Sequence, residues 1–360
     1  MRKPTETLPE IPVVDLGDQP PAALVAAQGE RTAALMAAAR RNFTLPLLIA
    51  GDAACRRWLA RSHNPYRGEI AEVAACLPGP GGWILNMSHE WACSSGVAAA
   101  PHLPEGAQNH LLRALDWPMP GLGENLLAVR RRGPAGPWVD LTWPGFVGAI
   151  QGLAPGRFAA AFNQAPLHRR TGLFAADWAL QRRRFWLSRH LPPAHLLRRV
   201  FDQAEDFAEA KSLLCQTPLA LPVIYALVGP GPHEACIIER LEDQAFVREA
   251  SPDAPLEAAV AAANHWQATG LPGYPRGLES EARSLQLAKT LPQAGGGLGW
   301  LAPPVLNELT RLAMRAEPAS GRLWVQGYEA YGPATAVLEL SELQPNNARP
   351  EAALAHRLSH

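Results

Sequence analysis

Cys93 lies in the run Asn86-Met-Ser-His-Glu-Trp-Ala-Cys93-Ser-Ser95, between the apolar Gly82-Trp-Ile-Leu85 and the strand-like Ser94-Ser-Gly-Val-Ala98. Arg113-Ala-Leu-Asp116 follows. Amide hydrolysis by a thiol needs a nucleophile, a base for its proton and donors for the developing oxyanion. A cysteine at a newly made N-terminus carries its own base, because an α-amine titrates at roughly 7.7–8 and a lysine only at about 10.4. A carboxylate can orient that amine, and an arginine beside the thiol favours the thiolate. Asp116 and Arg113 are the two groups for those tasks. The same thiol could free itself by attacking the Ala92 carbonyl, passing through an N-to-S shift to a thioester that water opens. The chain would then become two subunits, residues 1–92 and 93–360. The i, i+3 spacing puts Arg113 and Asp116 on opposite faces of a strand, so one of them is expected in the turn that Trp117-Pro118 begins. On spacing alone, a cysteine ahead of a strand is more often a packing residue, and an Arg-x-x-Asp more often a solvated ion pair.

The elements around these residues follow from pattern. Ile11–Asp15 reads as a short strand. Residues 21–41, 43–62 and 66–76 read as Ala/Leu-rich helices, stopped by Pro78-Gly-Pro-Gly-Gly82. The first 92 residues are therefore a small, mostly helical segment. After Cys93, strands are expected at 94–99, 111–115, 126–131, 138–142, 146–151 and 157–163, with Gly152-Leu-Ala-Pro-Gly156 turning a hairpin. Helices follow from Trp178, at 193–202 and at 206–214, with Glu205 or Asp206 as cap. Strands return at 221–228, 235–240 and 245–248. Helices come at 278–290 and 303–315, and strands at 322–328 and 335–340. Blocks of strands and helices in this order predict an α+β fold with layered antiparallel sheets, spanning 93–343 as a catalytic domain. Residues 344–360 read as a disordered tail.

The chain has 360 residues, 48% hydrophobic and 18% charged, enough for a sizeable core. Its formal net charge is zero, which gives no electrostatic basis for a nucleic-acid partner. Only Lys3, Lys211 and Lys289 are lysine, and the Ala, Leu, Arg and Pro bias suggests a GC-rich bacterial source. The five cysteines have no zinc-like or disulfide-framework spacing. No secretory signal and no stretch of roughly 20 apolar residues is visible, so a cytoplasmic protein is expected. The glycine-rich turns do not link a strand to a helix as a phosphate loop must.

The run Cys93-Ser-Ser with Arg113-x-x-Asp116 resembles the start of the catalytic subunit of the acid ceramidase and N-acylethanolamine-hydrolysing acid amidase group. That group belongs with the choloylglycine hydrolases among N-terminal-nucleophile (Ntn) hydrolases. Further resemblances come in the same order: Trp143-Pro-Gly-Phe-Val-Gly148 through Gly156-Arg157, Ala161-Phe-Asn163-Gln, Arg189-His-Leu-Pro-Pro through Thr217-Pro-Leu, and Ala262-Ala-Asn264-His-Trp266. The resemblance covers most of residues 10–330. It implies a four-layer αββα sandwich with two antiparallel sheets. It also implies Cys93 as nucleophile with its amine as base, and Arg113 and Asp116 to position and polarise it. Asn264 would be an oxyanion donor aided by Asn163, and Arg283 in Glu281-Ala-Arg-Ser284 a further site arginine. The chain departs from the pattern at Gln164, where many members have Glu, and in a longer Cys-to-Arg spacing around Pro101–Gln108.

Other residues invite other chemistry. His89-Glu-x-x-Cys93 has only half of a zinc-binding His-Glu-x-x-His, so no metal and no cofactor is expected. Arg182-Arg-Arg-Phe-Trp186, with Phe174 and Trp178 nearby, fits a solvated helix face, an acyl-chain pocket or weak contact with a membrane surface. The leading expectation is a self-processing cysteine Ntn amidase. It cleaves the linear amide of a small N-acyl amide through a Cys93 thioester and keeps its own N-terminal segment as a non-covalent subunit. The alternatives are an acyltransferase of the penicillin acyltransferase type, a bile-salt or lactone hydrolase, and a catalytically silent binding protein of the same fold.

Overall fold

Residues 7–87, 91–99, 108–251 and 258–342 are described by the computed structural model. His89, Glu90, the Pro101–Ala107 insertion and the 344–360 tail lie outside these residues. The chain starts with strand Val13–Gly17 (β1) and then runs through helices Pro21–Ala27 (α1), Gly29–Asn42 (α2), Leu45–Arg61 (α3), Arg67–Cys76 (α4) and the single turn Gly82–Leu85 (α5). The single helix expected over 21–41 is two, because Gln28 leaves helical geometry with ψ 44° between them. Pro21 in the first turn of α1 and Pro46 in that of α3 sit where a missing N–H costs nothing.

Strands then dominate: Ala92–Ala98 (β2), His110–Asp116 (β3), Leu127–Gly133 (β4), Gly136–Thr142 (β5), Gln151–Ala154 (β6), Phe158–Gln164 (β7) and the short Leu167–His168 (β8). Helices Phe174–Leu187 (α6), Pro193–Gln203 (α7) and Phe207–Gln216 (α8) follow. Asp206 caps α8 by accepting from the Glu209 N–H at 2.8 Å. The chain closes with Val223–Val228 (β9), Ala235–Arg240 (β10), Ala245–Glu249 (β11), Ala259–Ala262 (β12), Gly273–Tyr274 (β13), helix Ser280–Thr290 (α9), Thr310–Glu317 (β14), Arg322–Glu329 (β15), Gly332–Pro333 (β16) and Leu338–Ser341 (β17).

Two expectations are corrected, and one strand is additional. Residues 146–150 are not a strand. Although apolar and buried, they form turns, and the Val147 N–H is bonded by the Asn86 side chain at 2.8 Å instead of a neighbouring strand. Residues 303–315 are not a helix. The Pro303-Pro304 pair opens a turn, and β14 begins at Thr310, because pairing with β3 and β15 outweighs the helix-like spacing of Leu306, Leu309 and Leu312. Strand β12 was not anticipated, because its Ala-Val-Ala-Ala sequence carries little strand propensity.

The strands form two large sheets. One has eight strands in the order β1-β4-β5-β6-β7-β9-β10-β11, antiparallel except for β1 alongside β4. The other runs β12-β2-β3-β14-β15-β16, with β17 also on β15. Their inner faces meet where β2 and β3 lie over β7 and β9. Cys93, Val97, Leu111 and Leu115 pack there with Ile224, Val228 and Ile237 in one core, while Phe158, Phe162 and Tyr225 face α7 on the other side of the sheet. Each such large side chain contributes about 1.5–3 kcal/mol by burial. Helices α7 and α8 cover the outside of the eight-stranded sheet, and α9 covers β2 and β12 on the other. The result is the α+β four-layer αββα sandwich expected from the sequence.

The first 92 residues are woven into this body. Strand β1 completes the large sheet. The Trp58 indole donates to the Phe185 carbonyl at 3.0 Å, Asn64 bonds His195 at 2.9 Å, and Glu69 pairs with Arg198. Behind Arg198, in the same sheet, the Asp140 carboxylate accepts from Arg131 Nε at 2.9 Å, and both side chains are buried. Burial pushes the Asp140 carboxyl up to about 6, against the pull of Arg131. A group raised in this way holds a proton in the folded chain that the unfolded chain has already lost. Its stabilising contribution is therefore full below about pH 4 and lost as pH rises through about 6. Urea unfolding followed from pH 4 to 7 should show a loss on the order of 1–3 kcal/mol across that window. Asp140→Asn should flatten this slope while lowering stability throughout, because Arg131 loses its partner. An unchanged slope in the variant would place the pH dependence on other groups.

Candidate active site

Strand β12 stops at Ala262, opposite Ser95 of β2, two residues short of Cys93. The backbone N–H and C=O of Cys93 are buried at the ladder's end and need partners from side chains. Asn264 and Arg283 supply them. The Cys93 N–H donates to Asn264 Oδ1 at 2.7 Å, and Arg283 Nη1 donates to the Cys93 carbonyl at 2.7 Å. Arg283 also reaches Ser94 Oγ at 2.9 Å and, through Nη2, Asn264 Oδ1 at 3.0 Å. The turn that brings Asn264 here is held on both sides. Asn163 Nδ2 donates to the Ala262 and Ala263 carbonyls at 3.0 and 3.1 Å, and Ser280 Oγ accepts from the Asn264 N–H at 2.8 Å.

Arg113 and Asp116 lie on opposite faces of β3, as strand parity requires. Both are strand residues, with Asp116 the last, so neither needs the turn at Trp117-Pro118; that expectation is corrected. Arg113 faces Ser95 in the register and shares the inner face with Cys93. Its Nη1 donates to Ser95 Oγ at 3.1 Å and to Asn163 Oδ1, which also accepts from Ser95 Oγ at 2.7 Å. Asp116 faces α9. Its carboxylate accepts from Asn307 Nδ2 at 3.0 Å and Thr310 Oγ1 at 2.9 Å, and lies 3.5 Å from Arg283 Nη1. The thiol is thus bracketed through the thickness of one strand, by Arg113 on its own side and by the Arg283–Asp116 pair on the other.

All six sequence-selected residues, Cys93, Arg113, Asp116, Asn163, Asn264 and Arg283, are buried within this one cluster. Burial pushes the Cys93 thiol up. Arg113 opposes that most strongly, Asp116 adds to it, and Arg283 opposes it as well. Burial likewise raises Asp116, against Arg283, Asn307 and Thr310. Two assignments differ from the sequence expectation. Asn163 commits its donor to two backbone carbonyls, so it anchors Arg113 and the β12 turn and offers no oxyanion hydrogen. Asn264 turns its carbonyl oxygen, not its donor, toward Cys93, and its Nδ2 donates to the Gln164 carbonyl at 2.8 Å. Ser94, Ser95, Ser280, Asn307 and Thr310 were missed. Ser94 and Ser95 flank the cysteine and were within reach of inspection, whereas Asn307 and Thr310 fall in the segment misread as helix.

On the far side of Ala92 lies a cavity of about 320 Å³. Trp91, Ala92, Leu167, Phe174, Trp178 and Tyr274 give it an apolar, aromatic wall, and Asp116 and Gln164 reach it from the site. Ala92 separates this space from the buried thiol. Among the described residues no group of His, Cys, Asp and Glu is arranged to hold a metal ion, and no helix is long and apolar enough to cross a membrane.

Two facing antiparallel sheets between helix layers, with the site cysteine at the start of one strand, make a four-layer αββα sandwich with its candidate site at the end of the sheet ladder. No family model matches the chain. Over 169 residues, 45% of its length, it is 28% identical to the N-acylethanolamine-hydrolyzing acid amidase of Oryctolagus cuniculus, of which this is 43%. Over 100 residues, 28% of its length, it is 28% identical to the acid ceramidase of Heterocephalus glaber, of which this is 24%. The matched stretches span less than half of these relatives. Among solved structures, the Caenorhabditis elegans N-acylethanolamine-hydrolyzing acid amidase ortholog superposes with a TM-score of 0.49 and 18% identity, over 63% of this chain and 93% of that one.

Gly277 tests the packing at Ala92. It has φ +69°, and a Cβ added there would sit 2.4 Å from the Ala92 Cβ and 3.0 Å from Arg283 Nη2. Gly277→Ala should lower stability by about 1–3 kcal/mol from strain and overlap. It should also speed hydrogen exchange at residues 91–93, read by exchange mass spectrometry. Unchanged exchange there would mean that Gly277 does not fix the Ala92 position.

Proposed function

We propose that this chain is a self-processing cysteine amidase that cleaves the linear amide bond of a small N-acyl amide. The observation that carries this reading is the Cys93 backbone held by Asn264 and Arg283, with the thiol on the Arg113 face and the Ala92 side open to an apolar cavity. The relatives' names, acid ceramidase and N-acylethanolamine-hydrolyzing acid amidase, support the same bond type.

In the first reaction the Cys93 thiol attacks the Ala92 carbonyl carbon. The Ala92–Cys93 C–N bond breaks as the thioester forms, and the released nitrogen takes the thiol proton. Water then opens the thioester, giving an Ala92 carboxylate and a free Cys93 thiol. Arg113 and Arg283 favour the thiolate in both stages. Asn264 Oδ1, already the acceptor for this nitrogen, would go on to orient the new α-amine. That amine serves as base when the thiol attacks a substrate acyl carbon. The substrate amine leaves with the proton, and water hydrolyses the acyl-Cys93 thioester.

The aromatic wall of the cavity favours a fatty or other apolar acyl group. The exposed Leu173 before α6 and Phe174, Trp178, Leu180 and Leu187 within it, alongside Arg182, Arg183 and Arg184, fit a weak contact with a lipid surface. The non-covalent subunit is residues 1–92, tied to the remainder by β1 and the Trp58, Asn64 and Glu69 contacts.

Purified wild-type chain should become two fragments split between Ala92 and Cys93 that elute together, whereas Cys93→Ala stays at 38.8 kDa. Wild type that remains intact after long incubation at mildly acidic and at neutral pH would sink the processing step. The processed protein should release fatty acid from N-acyl amides. Transfer to an added amine in preference to water would make it an acyltransferase, and no turnover of any acyl amide would sink the amidase reading.

A further inference from the structure

Asn264 is fixed at its own backbone by Ser280, yet the chain that follows it, His265 to Gly270, is a loop without strand partners. One carboxylate holds that loop. Glu239, in β10 of the opposite sheet, is fully buried. Its Oε1 accepts from the Gln267 N–H at 3.0 Å, and its Oε2 accepts from Gln267, Ala268 and Thr269 at 3.1, 3.0 and 3.3 Å. The nearest cation, Arg248, stands farther off, with its Nε 3.6 Å from Oε1. Arg248 also links this loop to β12, because its Nη2 donates to Gln267 Oε1 and to the Ala261 carbonyl. A charge-pairing role alone would not need three successive backbone donors. A buried anion that gathers consecutive N–H groups fixes the path of the segment bearing them.

We infer that Glu239 is a positioning residue for the Cys93 site. By clamping residues 267–269 it sets where the preceding turn delivers the Asn264 side chain, and so where the Cys93 nitrogen is held. The catalytic consequence rests on the amidase reading above; the clamp itself does not. Glu239→Gln is nearly isosteric but swaps one acceptor oxygen for an NH₂ donor. Both oxygens of the native side chain accept from the loop, so in either orientation of the amide at least one N–H loses its acceptor and meets a donor.

The test has two readouts. The first is hydrogen exchange in the uncut Cys93→Ala chain, with and without Glu239→Gln. Exchange at residues 267–269 and at the residue-93 amide should rise about tenfold or more, while β14 stays unchanged. Unchanged exchange at 267–269 overturns the clamp. Acceleration there with residue 93 unaffected overturns the link to the site. The second readout is turnover of a fluorogenic N-acyl coumarinamide by the processed enzyme. Glu239→Gln should lower kcat about 10- to 100-fold with KM within twofold, and Glu239→Asp, which keeps the charge, should restore most of it. Loss through KM alone, or no rescue by Asp in a protein of wild-type melting temperature, counts against positioning. If the wild type turns over no amide, the amidase reading fails by itself and the exchange experiment still decides the clamp.

Discussion

The site depends on a ladder that ends early. Strand β12 leaves β2 at Ala262, so on that side the peptide groups of Cys93 are buried beside no strand. Buried backbone donors and acceptors must be paired, and here Asn264 and Arg283 pair them. Satisfying an ordinary backbone requirement therefore draws an amide side chain onto the nitrogen of the Ala92–Cys93 bond and a guanidinium onto the Cys93 carbonyl that follows it. The buried polar residues around it do the rest: Ser280 satisfies Asn264, Asn307 and Thr310 satisfy Asp116, and Asn163 satisfies the turn carbonyls and Arg113. A polar network in a dry core holds only when nearly every member has a partner.

Charge follows the same geometry. Alternation along β3 sends Arg113 to the inner face and Asp116 to the outer one, so a single strand separates two cations and one anion around the thiol. Burial works against the thiolate, and the two guanidinium groups work for it. The balance is set by residues from β3 and α9, far apart in the chain and brought together because α9 covers β2 and β12.

Much of this was legible in the sequence because the signals were local. The strand-forming run after Cys93, the parity of Arg113 and Asp116 and the cap at Asp206 each follow from a few adjacent residues. The six site residues could be named because the resemblance placed them in order along the chain. What escaped depended on distant partners. Residues 146–150 look like a strand because they are apolar, but their backbone groups are satisfied one by one by Trp143, Asn86, Ala194 and Arg198 instead of by a strand ladder. Leu306, Leu309 and Leu312, leading into β14, have helix-like spacing, but β14 is claimed by strands on both sides. The direction in which Asn264 turns its carboxamide, and the use of Glu239 as an anchor, are set by neighbours that no local pattern contains.

Strand β1 has a consequence for how the protein would assemble. It is an edge strand of the eight-stranded sheet, and it lies on the near side of Ala92 in the chain. As long as the chain is continuous, β1 reaches β4 as part of one folding event. A break after Ala92 would turn that strand and its helices into a separate molecule. Folding would then be first order before the break, and reassembly after it second order. Once unfolded, the cut protein would need both pieces to meet again at sufficient concentration, so the break would also make the mature form a product of its own history.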